Sequence, residues 1–329
     1  MSGHDPAPPM PVEVGLTAAI VAVFGDERPE PMILTAHGSS AAAEAALPAG
    51  PFDPVAHRTF EMGLRAWVKE QTGAPLGYVE QLYTFGDRGR HARAGDTDPH
   101  VVSVGYLALT RGAKEFEPTD ARARFRSWYD FFPWEDWRRG RPVQLNEVIL
   151  PRLSAWATAG RTQESRLGLP RAERVRLLFR PHGPRFDDEL ALERYECLYE
   201  AGLVSEARRD GRDGPADMIE LGLPMQADHR RILATAMGRL RAKMKYRPVI
   251  FELMPERFTL TALQRTAEAI SGRDLHKQNF RRVVEAAAVV EPTGEVTRAT
   301  GGRPAALYRF RREIVEERPA AGLRVGPMR

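Results

Sequence analysis

Apolar positions recur at helical spacing twice in close succession between Thr259 and Ala287. Leu263, Ala267 and Ile270 stand at i, i+4 and i+7, one stripe of a first helix. Thr261 with Gln264 three positions on fits a capping box, where each side chain satisfies an orphan amide of the first turn. Gly272 supplies the left-handed residue that closes such a helix. A second helix is predicted to start between Asp274 and His276, with Phe280, Val283, Val284 and Ala287 turned inward. At about 100° per residue, Gln278, Arg281, Arg282 and Glu285 point the opposite way, with Lys277 and Asn279 on the flanks.

Two short helices joined by a turn have the layout of a helix-turn-helix, whose second helix enters the DNA major groove. Amides pair bidentately with adenine and arginines with guanine, so this face suits sequence readout. The other reading of the same periodicity is an amphipathic surface helix with a solvated charged face. The downstream pattern favours the first. Val289–Val290 reads as a strand, Pro292-Thr293-Gly294 as a turn, 298–303 as a loop tipped by Gly301-Gly302, and Ala306–Arg311 as a return strand. That order predicts a winged helix-turn-helix, with Arg298, Arg303 and Arg309 as wing cations for phosphate. The candidate DNA-binding residues are therefore Thr261, Lys277, Gln278, Asn279, Arg281, Arg282, Arg298, Arg303 and Arg309.

Charge follows the same division. From Arg239 to Arg318 there are 17 basic and 10 acidic residues, while the rest of the 329-residue chain carries 31 against 34. The basicity thus lies in the part that would meet a polyanion. A single cysteine, Cys197, excludes an intrachain disulfide and a thiolate zinc cluster and fits a reducing cytoplasm. The longest apolar run, Val14–Phe24, is too short to span a bilayer. The histidines show no metal-ligand spacing, and residues 1–11, with four prolines, read as a disordered tail.

Upstream the texture changes. Leu16–Phe24, Pro31–Thr35, Tyr78–Phe85 and Val101–Leu109 have strand character, and Phe60–Thr72 reads as a helix stopped by Gly73. Mixed strands around a helix predict an α+β or α/β/α sandwich over 12–160. A helical segment at 161–227 includes a helix predicted over Asp187–Ala201. The winged helix-turn-helix occupies 228–318 and a tail 319–329, giving an α+β chain.

The N-terminal domain resembles the Nudix fold. Its box places a glutamate ahead of a helix that carries an Arg-Glu pair and a Glu-Glu pair and holds Mg²⁺ against a diphosphate. With the final glycine of the box on Gly73, Arg58 falls at the upstream glutamate, Ala66 and Trp67 at the Arg-Glu pair, and Glu70 and Gln71 at the Glu-Glu pair. Only Glu70 is acidic, whereas Mg²⁺ demands a full set of hard oxygen ligands. No catalytic residue and no metal ligand are assigned.

A degenerate Nudix domain before a winged helix resembles the NrtR family of Nudix-related regulators of NAD metabolism, most of all its alphaproteobacterial NadQ branch. The resemblance is carried by LPAGPFDPVAHRTFEMGLRAWVKEQTG, YVEQLYTFGDRGR, VVSVGYLAL, FELMPERFTLTALQ, GRDLHKQNFRR, EPTGE and GRPAALYRF, in family order. It implies a homodimeric repressor on a palindromic operator, released when a nucleotide (ADP-ribose, NAD or ATP) binds the Nudix domain. Candidate effector residues are Arg58, Lys69 and Glu70 around the old catalytic helix, and Tyr83, Phe85, Asp87 and Arg88 at a strand end. Trp67 and the aromatic run Trp128–Trp137 read as packing residues instead. The competing functions are an active Nudix hydrolase, which needs more carboxylates than the box holds, and a winged-helix adaptor that binds protein rather than DNA.

Overall fold

The computed structural model describes residues 11–37, 44–74, 76–87, 100–111, 123–159, 168–180, 187–217, 219–298 and 304–314. The N-terminal strands are β1 (Val12–Phe24), β2 (Glu30–His37), β3 (Ala45–Ala46) and β4 (Ala49–Pro51), followed by helix α1 (Phe60–Thr72). Strands β5 (Val79–Phe85), β6 (His100–Leu109) and β7 (Arg124–Ser127) complete one sheet of order β3-β2-β1-β6-β5, with β4 paired to β1 and β7 to β2. β1 runs parallel to β6 from Val12↔His100 to Val21↔Leu109 and antiparallel to β2. Leu16 to Ala22 are buried on both faces, as a central strand requires.

The sheet separates two cores. On one face Leu16, Ala18, Ile20, Val104 and Tyr106 lie under Leu64 and Val68 of α1. α1 begins where the Thr59 side chain accepts the Met62 amide and ends at Gly73 in the left-handed region, φ 71°. The other face, with Ala19, Val21, Leu107 and Leu109, is covered by a later helix, α7 (His229–Met244). The sequence places this helix inside 228–318, as the connection between the two domains. In the structure it is the second helical layer of the sandwich. A Cβ on Gly105 would lie 2.9 Å from Phe85 and 3.2 Å from Ile232, so the bare backbone there lets α7 sit close.

Between sheet and α7 run α2 (Trp128–Phe131), α3 (Leu150–Ala159), α4 (Arg171–Phe179), α5 (Ala191–Glu200) and α6 (Ser205–Arg209). Trp128, Tyr129, Phe131, Phe132 and Trp134 are buried in the large core, in line with their packing role. α5 is shorter than the helix expected over 187–201 and packs on α7. The chain ends in α8 (Leu260–Ser271), α9 (Lys277–Ala287), β8 (Val290–Thr297) and β9 (Ala305–Phe310). Among the described residues no helix is long and apolar enough to cross a membrane.

Candidate nucleic-acid interface and effector face

α8 and α9 form the expected helix-turn-helix, with one correction at its start. The N-cap is Thr259, whose hydroxyl accepts the Ala262 amide at 3.0 Å. Gln264 instead donates to Glu268 and to the Leu275 carbonyl. The capping box on Thr261 and Gln264 therefore does not form, because the chain enters the helix two residues earlier. Thr261 is left exposed in the first turn. Gly272, at φ 71°, donates its amide to Glu268 and ends α8 as anticipated.

α9 buries Phe280 and Val284 and half-buries Val283 and Ala287. Lys277, Gln278, Arg281, Arg282 and Glu285 are exposed, and Asn279 is half-buried. Arg282 donates to Asn279 Oδ1 at 2.9 Å, so these two face one another on the free surface. β8 and β9 pair antiparallel, and Phe258 exchanges backbone hydrogen bonds with Tyr308 as a short third strand. The turn expected at Pro292-Thr293-Gly294 is instead an irregularity within β8, where the pairing register shifts between Pro292 and Val296. Gly294 relieves it at φ 81°. Of the wing cations, Arg298 is exposed and Arg309 pairs with Glu291 at 2.6 Å across the ladder. Arg303 lies outside the described residues.

The predicted effector residues do not come together. Lys69 and Glu70 are exposed on α1, and Arg58 is exposed in the segment before it. From Phe60 to Lys69 the helix rises roughly 14 Å, so Arg58 and Lys69 stand at opposite ends. Phe85 is on the other face of the sheet, buried against α7, with Tyr83 edge-on to it at 5.4 Å. The Arg231 guanidinium of α7 lies 5.3 Å from the Phe85 ring centre, and it also holds Asp87 at 2.5 Å. Both are thus engaged by a buried arginine. Arg88 lies outside the described residues. This split is invisible in the sequence, since strand alternation places Phe85 on a face without recording what covers it.

The eroded box positions are occupied structurally. Trp67 Nε1 donates to the Pro51 carbonyl and Gln71 to the Ala49 carbonyl, each at 2.7 Å, pinning α1 to β4. A Mg²⁺ ion would be left with Glu70 as its one box carboxylate. These donors do not fit a catalytic metal.

Sequence reasoning missed the charged groups that join the two ends of the molecule. Glu135, fully buried, accepts from Arg194 of α5 and Arg241 of α7, each at 2.6 Å. Burial pushes its carboxyl up, but the two guanidinium groups outweigh burial and hold it below the usual range. Arg241 also donates Nε to the Ile270 carbonyl at 2.9 Å, while the Tyr129 hydroxyl donates to Ala269 at 2.6 Å. The Trp137 amide reaches Gly272 at 2.7 Å. Three carbonyls at the end of α8, where helices leave acceptors unsatisfied, are thereby bound by the sandwich side. A Cβ at Gly272 would meet the Glu135 carbonyl, which adds a second reason for glycine at this cap.

A sandwich of Nudix topology joined to a winged helix-turn-helix defines the class: a two-part chain with a DNA-binding-type domain at its C-terminus. Residues 250–310 match the family model of the NrtR DNA-binding winged helix domain. A curated relative described as an ADPR responsive transcriptional repressor, NtrR, from Acinetobacter baylyi is 43% identical over 90 residues. That alignment covers 27% of this chain and 36% of the relative, so the chain is matched over about a third of the relative's length. Among solved structures, Shewanella oneidensis NrtR in complex with a 27mer DNA aligns at TM-score 0.54 and 18% identity over 92% of this chain and 95% of that one. A MutT/nudix family protein from Enterococcus faecalis aligns at TM-score 0.52 and 15% identity over 94% and 90%. Residues 250–310 are thus similar to the NrtR-type winged helix domain, and the chain as a whole shares the fold of Shewanella oneidensis NrtR.

Proposed function

We propose that this chain is a DNA-binding transcriptional repressor whose hold on its operator is controlled by ADP-ribose. The observation that carries this reading is α9: an NrtR-type second helix with its apolar side buried and Lys277, Gln278, Arg281 and Arg282 exposed. Gln278, Arg281 and Arg282 read base edges, and Lys277 and Arg298 hold phosphate. Two copies of the chain bind a palindrome, since half-sites about one helical turn apart demand two recognition helices.

ADP-ribose is favoured over NAD and ATP as effector because the Acinetobacter relative is described as ADPR responsive. It binds on the α1 side, where Lys69, Glu70 and Arg58 are exposed, and is retained rather than cleaved because the box keeps one glutamate. Binding releases the operator. The test is a gel shift with the promoter of an NAD-synthesis operon, titrated separately with ADP-ribose, NAD and ATP. Retarded DNA freed by ADP-ribose is expected. No retardation under any condition sinks the assignment, and Mg²⁺-dependent hydrolysis of ADP-ribose at enzyme-like rates replaces it with the hydrolase.

A further inference from the structure

The helical segment at 161–227, an insert between the sandwich strands and α7, touches both ends of the molecule through one residue and one helix. Asp188 is almost fully buried just before α5. Its Oδ1 accepts from Lys245 Nζ at 3.0 Å, at the end of α7. Its Oδ2 lies 3.4 Å from Arg273, in the turn between α8 and α9. Its backbone carbonyl accepts from Arg241 at 3.1 Å. One residue of the insert therefore ties the end of α7 to the turn that launches the recognition helix.

At the other end of α7, Glu196 of α5 pairs with Arg231 at 2.6 Å, and Arg231 holds Asp87 of the effector domain. Between these points the insert closes tightly on the helix. A Cβ on Gly238 would lie 2.6 Å from the Glu189 carbonyl. α7 is thus clamped between sheet and insert along its length. Arg231 and Arg241 are roughly 15 Å apart on it, and a packed helix of that length moves as a rigid rod.

We propose that Asp188 is a positioning residue: it fixes the pose of α9 relative to α7, so that a shift of α7 on nucleotide binding is passed to the recognition helix. This rests on the repressor reading above. The salt link at Arg273 is three residues from the helical cap His276, so a small change there is enlarged along α9. Two recognition helices one DNA turn apart tolerate little such change.

The test uses the full chain with Asp188→Asn and, from the opposite side, Arg273→Gln, a partly exposed residue whose loss spares the core. Operator affinity is measured with and without ADP-ribose, and ADP-ribose affinity is measured on the protein alone. Each variant is expected to lose about fivefold or more in operator affinity. The ratio of operator affinities without and with ADP-ribose should fall towards one, while ADP-ribose affinity stays within about twofold. The double variant should be no worse than either single one. General destabilisation would lower the melting temperature and leave that ratio unmoved, and an unmoved ratio in both variants overturns the proposal.

Hydrogen exchange reads the same link without DNA. Faster exchange at the α8–α9 turn in Asp188→Asn supports it, and unchanged exchange overturns it. A wild-type chain that binds no operator defeats the repressor reading instead, and hydrogen exchange still decides the role of Asp188.

Discussion

Arg231 on α7 reaches Asp87 at the end of β5 from the sheet face opposite α1. It is 2% exposed and also pairs with Asp228 and Glu196. The LYTFGD segment is therefore anchored to the helix that runs on towards the winged helix domain. Arg231→Ala would leave three acids near one buried site without their cation, a change expected to cost about 3–5 kcal/mol. Urea denaturation should show it as a lower midpoint. Asp87→Asn, which alters a half-exposed side chain, should cost far less and leave affinity for ADP-ribose at the proposed α1 site within about twofold by calorimetry. A nucleotide that binds through Asp87 would lose affinity instead.

On the proposed reading, base readers and phosphate holders on α9 would separate by their salt and sequence dependence. Arg281→Ala and Gln278→Ala are expected to cost about 1–3 kcal/mol on the operator and little on scrambled duplex. Lys277→Ala should weaken both equally and lower the salt slope by about one. Fluorescence anisotropy across a salt series checks all three. Equal losses on operator and scrambled DNA for Arg281→Ala would remove it from the reading face.

The buried Glu135 makes the joint to α8 acid-sensitive. Its carboxyl is held below its ordinary 4.5 by Arg194 and Arg241 in spite of burial. A depressed folded value adds stability above the unfolded value, and that stability is lost as pH falls through the folded one. Wild-type stability should therefore drop as pH falls below about 4.5, and Glu135→Gln should be less stable at pH 7 with a flatter acid limb. Melting temperatures between pH 3 and pH 7 test this. Parallel curves for the two proteins contradict it.

Cys197 is fully buried on α5, and burial pushes its thiol up to about 12. The thiolate is the reactive form, so the native chain should resist alkylation at pH 8. Labelling is expected to track global unfolding in urea. Rapid stoichiometric labelling of the folded protein would mean that α5 opens away from α7.

Much of the secondary structure was legible because its causes are local. The stripe from Leu64 to Val68 with Gly73 after it, and Leu263 to Ile270 with Gly272 after it, record a buried face and a left-handed stop within a few residues. The exposed side of α9 follows in the same way from Phe280 and Val284. The cap at Thr259 was missed because two threonines two residues apart offer the same hydroxyl, and the entry angle of the chain decides between them. The bulge at Gly294 was read as a turn because glycine marks both.

In the sequence, short-range periodicity and capping therefore already set the order of elements and the exposed face of α9. Every feature that depends on distant residues came from the packed fold. Nothing in HRRILATAMGRLRAKM marks its arginines for burial, yet Arg230, Arg231 and Arg241 are all buried on α7. Their carboxylate partners Glu206, Glu196 and Glu135 lie 24, 35 and 106 residues away in the chain. A charge is normally worth burying only when its partner is brought to it, and that meeting is made by the fold. The same distance hid the division of the effector residues, because the sheet that separates Lys69 from Phe85 is assembled from strands with no local record of which helix covers which face.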